Sequence, residues 1–181
     1  MIIVVGGILF FLALSLFVFP VFSPIPYFPS NKKDTNLIMR SLGIKNNQII
    51  FDLGAGDGWV VFEAAKRAYE RKRNTQFVAV EINPLLVIVL YVKRLFHKNR
   101  KNITVVRGNI FNLPITKLLP KVKTEIVYYL YISPWYLERV STHLKKYRPN
   151  FYIISYMYAI PHQKEMLKLK GKHSIFKYKY V

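Results

Sequence analysis

From residue 31 onward, apolar and polar positions follow two different periods in turn. Short apolar runs predict strands at "QIIFDL" (48–53), "QFVAVEI" (76–82), "NITVVRG" (102–108), "TEIVYYLYI" (124–132) and "FYIISYMY" (151–158). Stretches with helical spacing lie between them, at 35–42, 59–73, 84–96 and 134–147. In the second of these, Glu63 reaches Arg67 one turn on. The third starts on Pro84, a residue suited to the first helical position. The tail "HSIFKYKYV" (173–181) alternates like a last, partly exposed strand. Strands alternating with helices predict a parallel, doubly wound, Rossmann-like α/β sheet. Ligands of such sheets bind beyond the carboxyl ends of the strands, at the point where the strand order switches.

Two apolar stretches break the pattern. Residues 1–31 carry no charged side chain, and "IIVVGGILFFLALSLFVF" (2–19) is continuously apolar or small. At about 1.5 Å per residue it reaches roughly the thickness of a bilayer core. The expectation is one N-terminal transmembrane helix over 1–22. A proline-rich linker follows over 23–34, then a single domain over 35–181. Lys32 and Lys33, the first charges, place that domain on the cytoplasmic side of a single-pass membrane protein. The other stretch, "LLVIVLYV" (85–92), leaves its helix no polar face and is too short to span. It predicts a buried helix.

Charge then narrows the partners. Twenty-eight Lys and Arg face nine acids, a formal +19, which draws polyanions: nucleic acid or an anionic membrane surface. There is no cysteine, so disulfides and thiolate metal sites are excluded, and the four His lack ligand spacing. No metal is expected.

The chemistry concentrates in "IIFDLGAGDGWVVFEAAK" (49–66). Glycines let the backbone of Gly54-Ala55-Gly56-Asp57-Gly58 approach a ligand closely. The helix behind them offers free N–H groups to a carboxylate or phosphate. The nicotinamide fingerprint Gly-x-Gly-x-x-Gly fails at Trp59, and no Gly-Lys-Ser/Thr is present. Asp52 suits an ammonium group. Glu81, at the end of the second strand, can accept both hydrogens of a ribose diol. Ribose, ammonium and carboxylate together describe S-adenosyl-L-methionine.

The segment resembles motif I of the class I, seven-strand S-adenosylmethionine-dependent methyltransferases, and "VAVEINP" (78–84) resembles their motif II. The resemblance implies that the loop 54–58, with Ala55 and Asp57 in it, cradles the methionine part. It also implies that Asp52 contacts the amine, that Glu81 holds the ribose, and that adenine lies against Ile82 near Asn109. "PYFPS" (26–30), "VEINPLLV", "GNIF", "VYYLYISP" and "IISYMYAIP" follow in an order similar to a small protein-lysine methyltransferase family. That family includes archaeal broad-specificity enzymes and the mitochondrial enzyme acting on the ATP synthase c subunit. It implies a lysine acceptor on a protein substrate, in or beside the membrane. Tyr27, Tyr131, Ser133 and Trp135 would line a dry aromatic channel that disfavours the ammonium form of the lysine. A second reading starts from "Ile132-Ser133-Pro134-Trp135", a one-proline echo of the Asn/Asp-Pro-Pro-aromatic corner of enzymes that methylate base amines. It makes the protein an RNA or DNA base methyltransferase. A third is a catalytically silent membrane-bound interaction domain.

Overall fold

A computed structural model describes residues 6–7, 28–119, 124–147 and 150–181. Its centre is β1 (Gln48–Leu53), six residues buried without a break, because parallel neighbours flank it on both sides and helices cover both faces. β2 (Gln76–Glu81) and then β3 (Ile103–Arg107) lie to one side. β4 (Glu125–Leu130) and β5 (Phe151–Tyr156) lie to the other. β7 (Ser174–Tyr180) runs antiparallel between β5 and the edge strand β6 (Leu167–Lys170). The order is β3-β2-β1-β4-β5-β7-β6.

Helices α1 (Thr35–Leu42), α2 (Trp59–Glu70) and α3 (Pro84–Phe96) cover one face, where Leu42, Ala64, Ala65 and Leu90 pack with Ile50, Ala79 and Val127. Helix α4 (Pro134–Lys145) covers the other, with Leu137, Val140 and Leu144 packed with Phe51, Val80 and Tyr128. Local signals set the helix ends. Asn83 caps α3, its amide oxygen accepting from the Leu85 N–H at 2.9 Å, and Pro84 follows at the first position. Gly43 ends α1 in the left-handed region, φ 61°, its N–H returning to Met39 O.

The tail strand, exposed at Lys179, is not the edge of the sheet, because β7 is inserted between β5 and β6. Two expectations change. Helix α3 is not a buried helix: Val87 and Leu90 are buried, while Ile88, Val89, Tyr91, Val92, Leu95 and Phe96 are exposed. One stripe suffices to cover the sheet next to β2 and β3, and nothing among the described residues covers the other.

The second change concerns the transmembrane helix. No helix among the described residues is long and apolar enough to cross a membrane. The longest α-helix between residues 28 and 181, α3, has 13 residues, or about 20 Å against a hydrocarbon core of about 30 Å. Among the described residues the fold is the mostly parallel α/β sheet, and the transmembrane helix expected in front of it has no counterpart there. Single-pass membrane localisation with a cytoplasmic domain, and the anionic membrane surface as partner, go with that helix. The stretch 1–22 itself, apart from Gly6 and Gly7, lies outside the described residues, as do 23–27.

The chain from Phe28 to Asp34 crosses the carboxyl ends of the strands and is fastened there. Asp34, 1% exposed, accepts from the Tyr156 hydroxyl at 2.7 Å and from the N–H groups of Lys172 and His173 at 2.6 and 2.9 Å. Burial alone would raise its carboxyl pKa, but these hydrogen bonds outweigh burial and hold it below the usual carboxylate range. A lowered native pKa adds stability above the unfolded value, near pH 4, and that increment is lost as pH falls through the native value. Asp34→Ala strands two backbone donors, so urea unfolding at pH 7 should lose about 2–4 kcal/mol. The gap to wild type should narrow on acidification to about pH 3, where the wild-type carboxyl is itself being protonated.

Candidate active site

The chain leaves β1 toward β2 through α2 on one face and leaves β4 toward β5 through α4 on the other, so a crevice opens beyond β1 and β4. The glycine loop lies across this crevice and is held from the β2 side. Gly54 and Ala55 both donate to Val80 O at 2.9 Å. Gly56 donates to Glu81 Oε2 at 2.8 Å, while Glu81 Oε1 accepts from Ile82 and Asn83, each at 2.9 Å. Three of roughly four lone-pair positions on this buried carboxylate are thus taken by backbone. Glu81 shapes the loop, and one position is left for a ligand hydroxyl.

Gly58 begins α2 at φ 80°, where a Cβ would stand 2.5 Å from Leu90 Cδ2 and 2.6 Å from the Phe62 ring. Backbone geometry and packing both demand glycine there. Asp57 sits on the outer side of the loop, its Oδ1 accepting from the Trp59 N–H at 3.2 Å and its Oδ2 paired with Lys93 at 3.0 Å.

Asp52 is 4% exposed, and its carboxyl borders the cleft. Burial raises its pKa to about 7, with the charges of Glu81 and Asp57 pushing the same way and the Val61 N–H, in the first turn of α2, opposing. None of the ion pairs among the described residues includes it. Opposite Asp52 in the parallel register stands Tyr129 of β4. Its buried hydroxyl is 2.9 Å from Ser30 Oγ, and burial drives its pKa well up. Phe28, Pro29 and Ser30 close the outer wall of the cleft, with Trp59 and Tyr131 beside them.

The residues singled out from sequence divide as follows. Asp52, Gly54, Ala55, Gly56, Asp57 and Tyr131 line one cleft. Gly58 starts the helix behind it, and Glu81 braces it from below. Ile82 follows Glu81 and is half-buried. Asn109 is brought near by Gly108, whose N–H bonds to Glu81 O at 3.0 Å, and its amide oxygen accepts from the Phe111 N–H at 3.0 Å. Ser133 stands just before Pro134 at the start of α4, and Ile132 Cγ2 would be 3.9 Å from a Cβ on Gly54. This corner adjoins the glycine loop. Tyr27 lies outside the described residues. Tyr129, Ser30 and Phe28 were missed. For Tyr129 a signal existed: it shares a strand face with Tyr131, two residues on.

Tyr131 packs edge-on to Tyr156, centroids 4.9 Å apart, whereas Trp135 is 82% exposed. Trp135 presents its indole to solvent on the first turn of α4.

The fold has close likenesses among solved structures. An RNA methyltransferase from Salinibacter ruber, solved with S-adenosyl-L-homocysteine, superposes with a TM-score of 0.70 at 17% identity, over 84% of this chain and 94% of that one. The rRNA methyltransferase aviRa from Streptomyces viridochromogenes gives 0.60 at 12% identity, over 84% and 86%. A precorrin-6y C5,15-methyltransferase from Geobacter metallireducens gives 0.55 at 16%, over 85% and 95%. This is the class I methyltransferase fold. No protein-family model and no curated protein matches the chain.

These findings correct the functional expectation. A membrane-anchored protein-lysine methyltransferase needs an anchor and kinship with the lysine enzymes. Among the described residues there is no spanning helix. The class I likenesses given above are to enzymes named for RNA or precorrin. These likenesses establish the fold, and none of the three is to a protein-lysine methyltransferase.

The brace can be tested apart from any reaction. Glu81→Ala leaves three loop N–H groups without acceptors, and each costs about 1–3 kcal/mol where water cannot reach it. Thermal unfolding of the free protein should drop by several degrees, and amide exchange at Gly56, Ile82 and Asn83 should accelerate. Unchanged exchange at Gly56 would show that the loop holds itself.

Proposed function

We propose that this protein transfers a methyl group from S-adenosyl-L-methionine to a nitrogen of an RNA base. The observation that carries the reading is the Ser133-Pro134-Trp135 corner, with its exposed indole, which follows β4, the strand paired with β1 and its buried Asp52, and adjoins the glycine loop through Ile132.

The cofactor fits the residues present. Asp52 is a buried carboxylate without a cation, and the ligand's ammonium is the partner it lacks. Its carboxylate suits the positive end of the α2 dipole, and its ribose suits the remaining lone pair of Glu81. Ile82 and Asn109 follow as the adenine neighbours. When bound, S-adenosylmethionine supplies a methyl group on a positively charged sulfur: the acceptor nitrogen forms its N–C bond as the C–S bond breaks, sulfur keeps the electron pair, and the amine proton leaves to solvent.

The chain's share is positioning, which for an in-line displacement supplies most of the rate. Trp135 offers a face on which an unstacked base lies, a contact available to every base. Ser133 offers a hydroxyl acceptor at the base edge. Tyr131 and Phe28 keep water from the transfer path. The formal +19 supports a polyanionic substrate. It does not favour a small neutral one.

Two measurements test this. With radiolabelled cofactor and total cellular RNA, label should enter nuclease-sensitive material, and Trp135→Ala should cut the rate at least tenfold while cofactor affinity stays the same. Label found in nuclease-resistant protein would overturn the RNA acceptor.

The second concerns protons. Free Asp52 titrates at about 7, and an ammonium beside it lowers that value. Cofactor binding at pH 6 should therefore release close to one proton, and at pH 8 almost none. Calorimetry in two buffers of different ionisation enthalpy reads this directly. Asp52→Asn should abolish the release and weaken binding about ten- to a hundredfold. Binding with no proton release at pH 6 would remove Asp52 from the ammonium.

A further inference from the structure

A second concavity lies at the opposite end of α2 from the glycine loop, between the end of that helix and the turn after α3. Its floor is polar and fixed. Asn99 is 5% exposed, donates through Nδ2 to Ala65 O at 2.9 Å, and receives the Asn102 amide on Oδ1 at 2.7 Å. The Asn99 N–H donates to His97 Nδ1 at 3.0 Å. That nitrogen must therefore be bare, so the ring proton sits on Nε2 and is donated to Phe62 O, 3.1 Å away. Burial also lowers the pKa of this ring, so the floor carries no charge near neutrality.

The rim is charged. Lys66, Lys72, Arg73, Lys98 and Lys101 surround the groove against a single carboxylate, Glu70. None of the five takes part in an ion pair among the described residues. Two aromatic rings stand among these cations: Tyr69, which is exposed, and Phe96, 86% exposed. Water solvates the cations at no cost, but an exposed phenyl ring held within a cationic rim needs another explanation. A polyanion with flat faces meets both features, since phosphates neutralise the rim and unstacked bases cover the rings. A planar lipid surface has the charge but cannot enter a concavity.

We propose that this groove is a second contact for a single-stranded RNA segment, holding the substrate about one helix length from the site of transfer. The twelve residues of α2 set that separation at about 18 Å. The proposal rests on the RNA reading of the active site and adds to it a place for the flanking nucleotides.

The test uses the full chain, a fluorescently labelled oligo(U) and anisotropy across a salt series. Lys98→Ala with Lys101→Ala should weaken binding about tenfold and reduce the salt slope by about 1.4, the value for two phosphates on a single strand. Phe96→Ala should weaken binding at least fivefold and leave the slope unchanged, because stacking releases no counterions. Both variants should keep wild-type affinity for S-adenosyl-L-homocysteine, and an equal fall in that affinity would overturn a role separate from the cofactor site. Wild-type protein that does not bind the oligonucleotide would overturn the groove together with the RNA reading. Wild-type binding that both variants retain in full would overturn the groove alone. Variants that lose binding to phosphatidylserine vesicles while keeping oligo(U) would give the surface to lipid instead.

Discussion

The carboxylate of Glu81 joins the ends of two strands into one site. It stands at the last position of β2 and reaches the Gly56 N–H at 2.8 Å, so the loop that leaves β1 cannot move independently of β2. Its other oxygen holds the turn that starts α3, through Ile82 and Asn83. Its own backbone carbonyl receives Gly108 after β3. Three consecutive strand ends therefore meet on one residue. Three glycines at positive φ give the loop a shape that few sequences hold, and this carboxylate is what makes that shape the rest position.

Fixing the loop has an electrostatic consequence. It buries Asp52 beneath the glycines, near the charges of Glu81 and Asp57, with one helix-terminal N–H in compensation. Burying a carboxylate this way costs free energy in the free protein. Protonation relieves the cost near neutral pH, and a ligand cation relieves it better. The site is thus built for charge that arrives with a ligand, and the two uncharged hydroxyls opposite, Tyr129 and Ser30, close the cleft without competing for that role. Positive charge lies outside, on the rims, where a polyanion can meet it.

Much of this was legible in the residues. Unbroken apolar runs ending in Asp52 and Glu81 marked the two strands whose ends make the site, because buried parallel strands admit no alternation. Pro84 and Asn83 marked the start of α3 through local capping chemistry. Other features depend on distant contacts. β6, "LKLK", carries no core pattern because it is an edge strand with no buried position. "LLVIVLYV" predicted burial by composition, yet the sheet needs only Val87 and Leu90 from it. The resemblance to lysine methyltransferases suggested a channel position for Trp135, and on the first turn of α4 its indole is exposed. The segment 28–34 looked like a proline-rich linker, and contacts far away in sequence, Asp34 to Tyr156 and Ser30 to Tyr129, tie it to the cleft.

The most direct measurement of the account compares two ligands that share an adenosine. S-Adenosyl-L-homocysteine carries the ammonium and carboxylate, and 5′-methylthioadenosine lacks both. If Asp52 is a buried charge awaiting a cation, calorimetry at pH 7.5 should find the first bound at least tenfold more tightly than the second. Equal affinities, or no binding of either, would contradict the account.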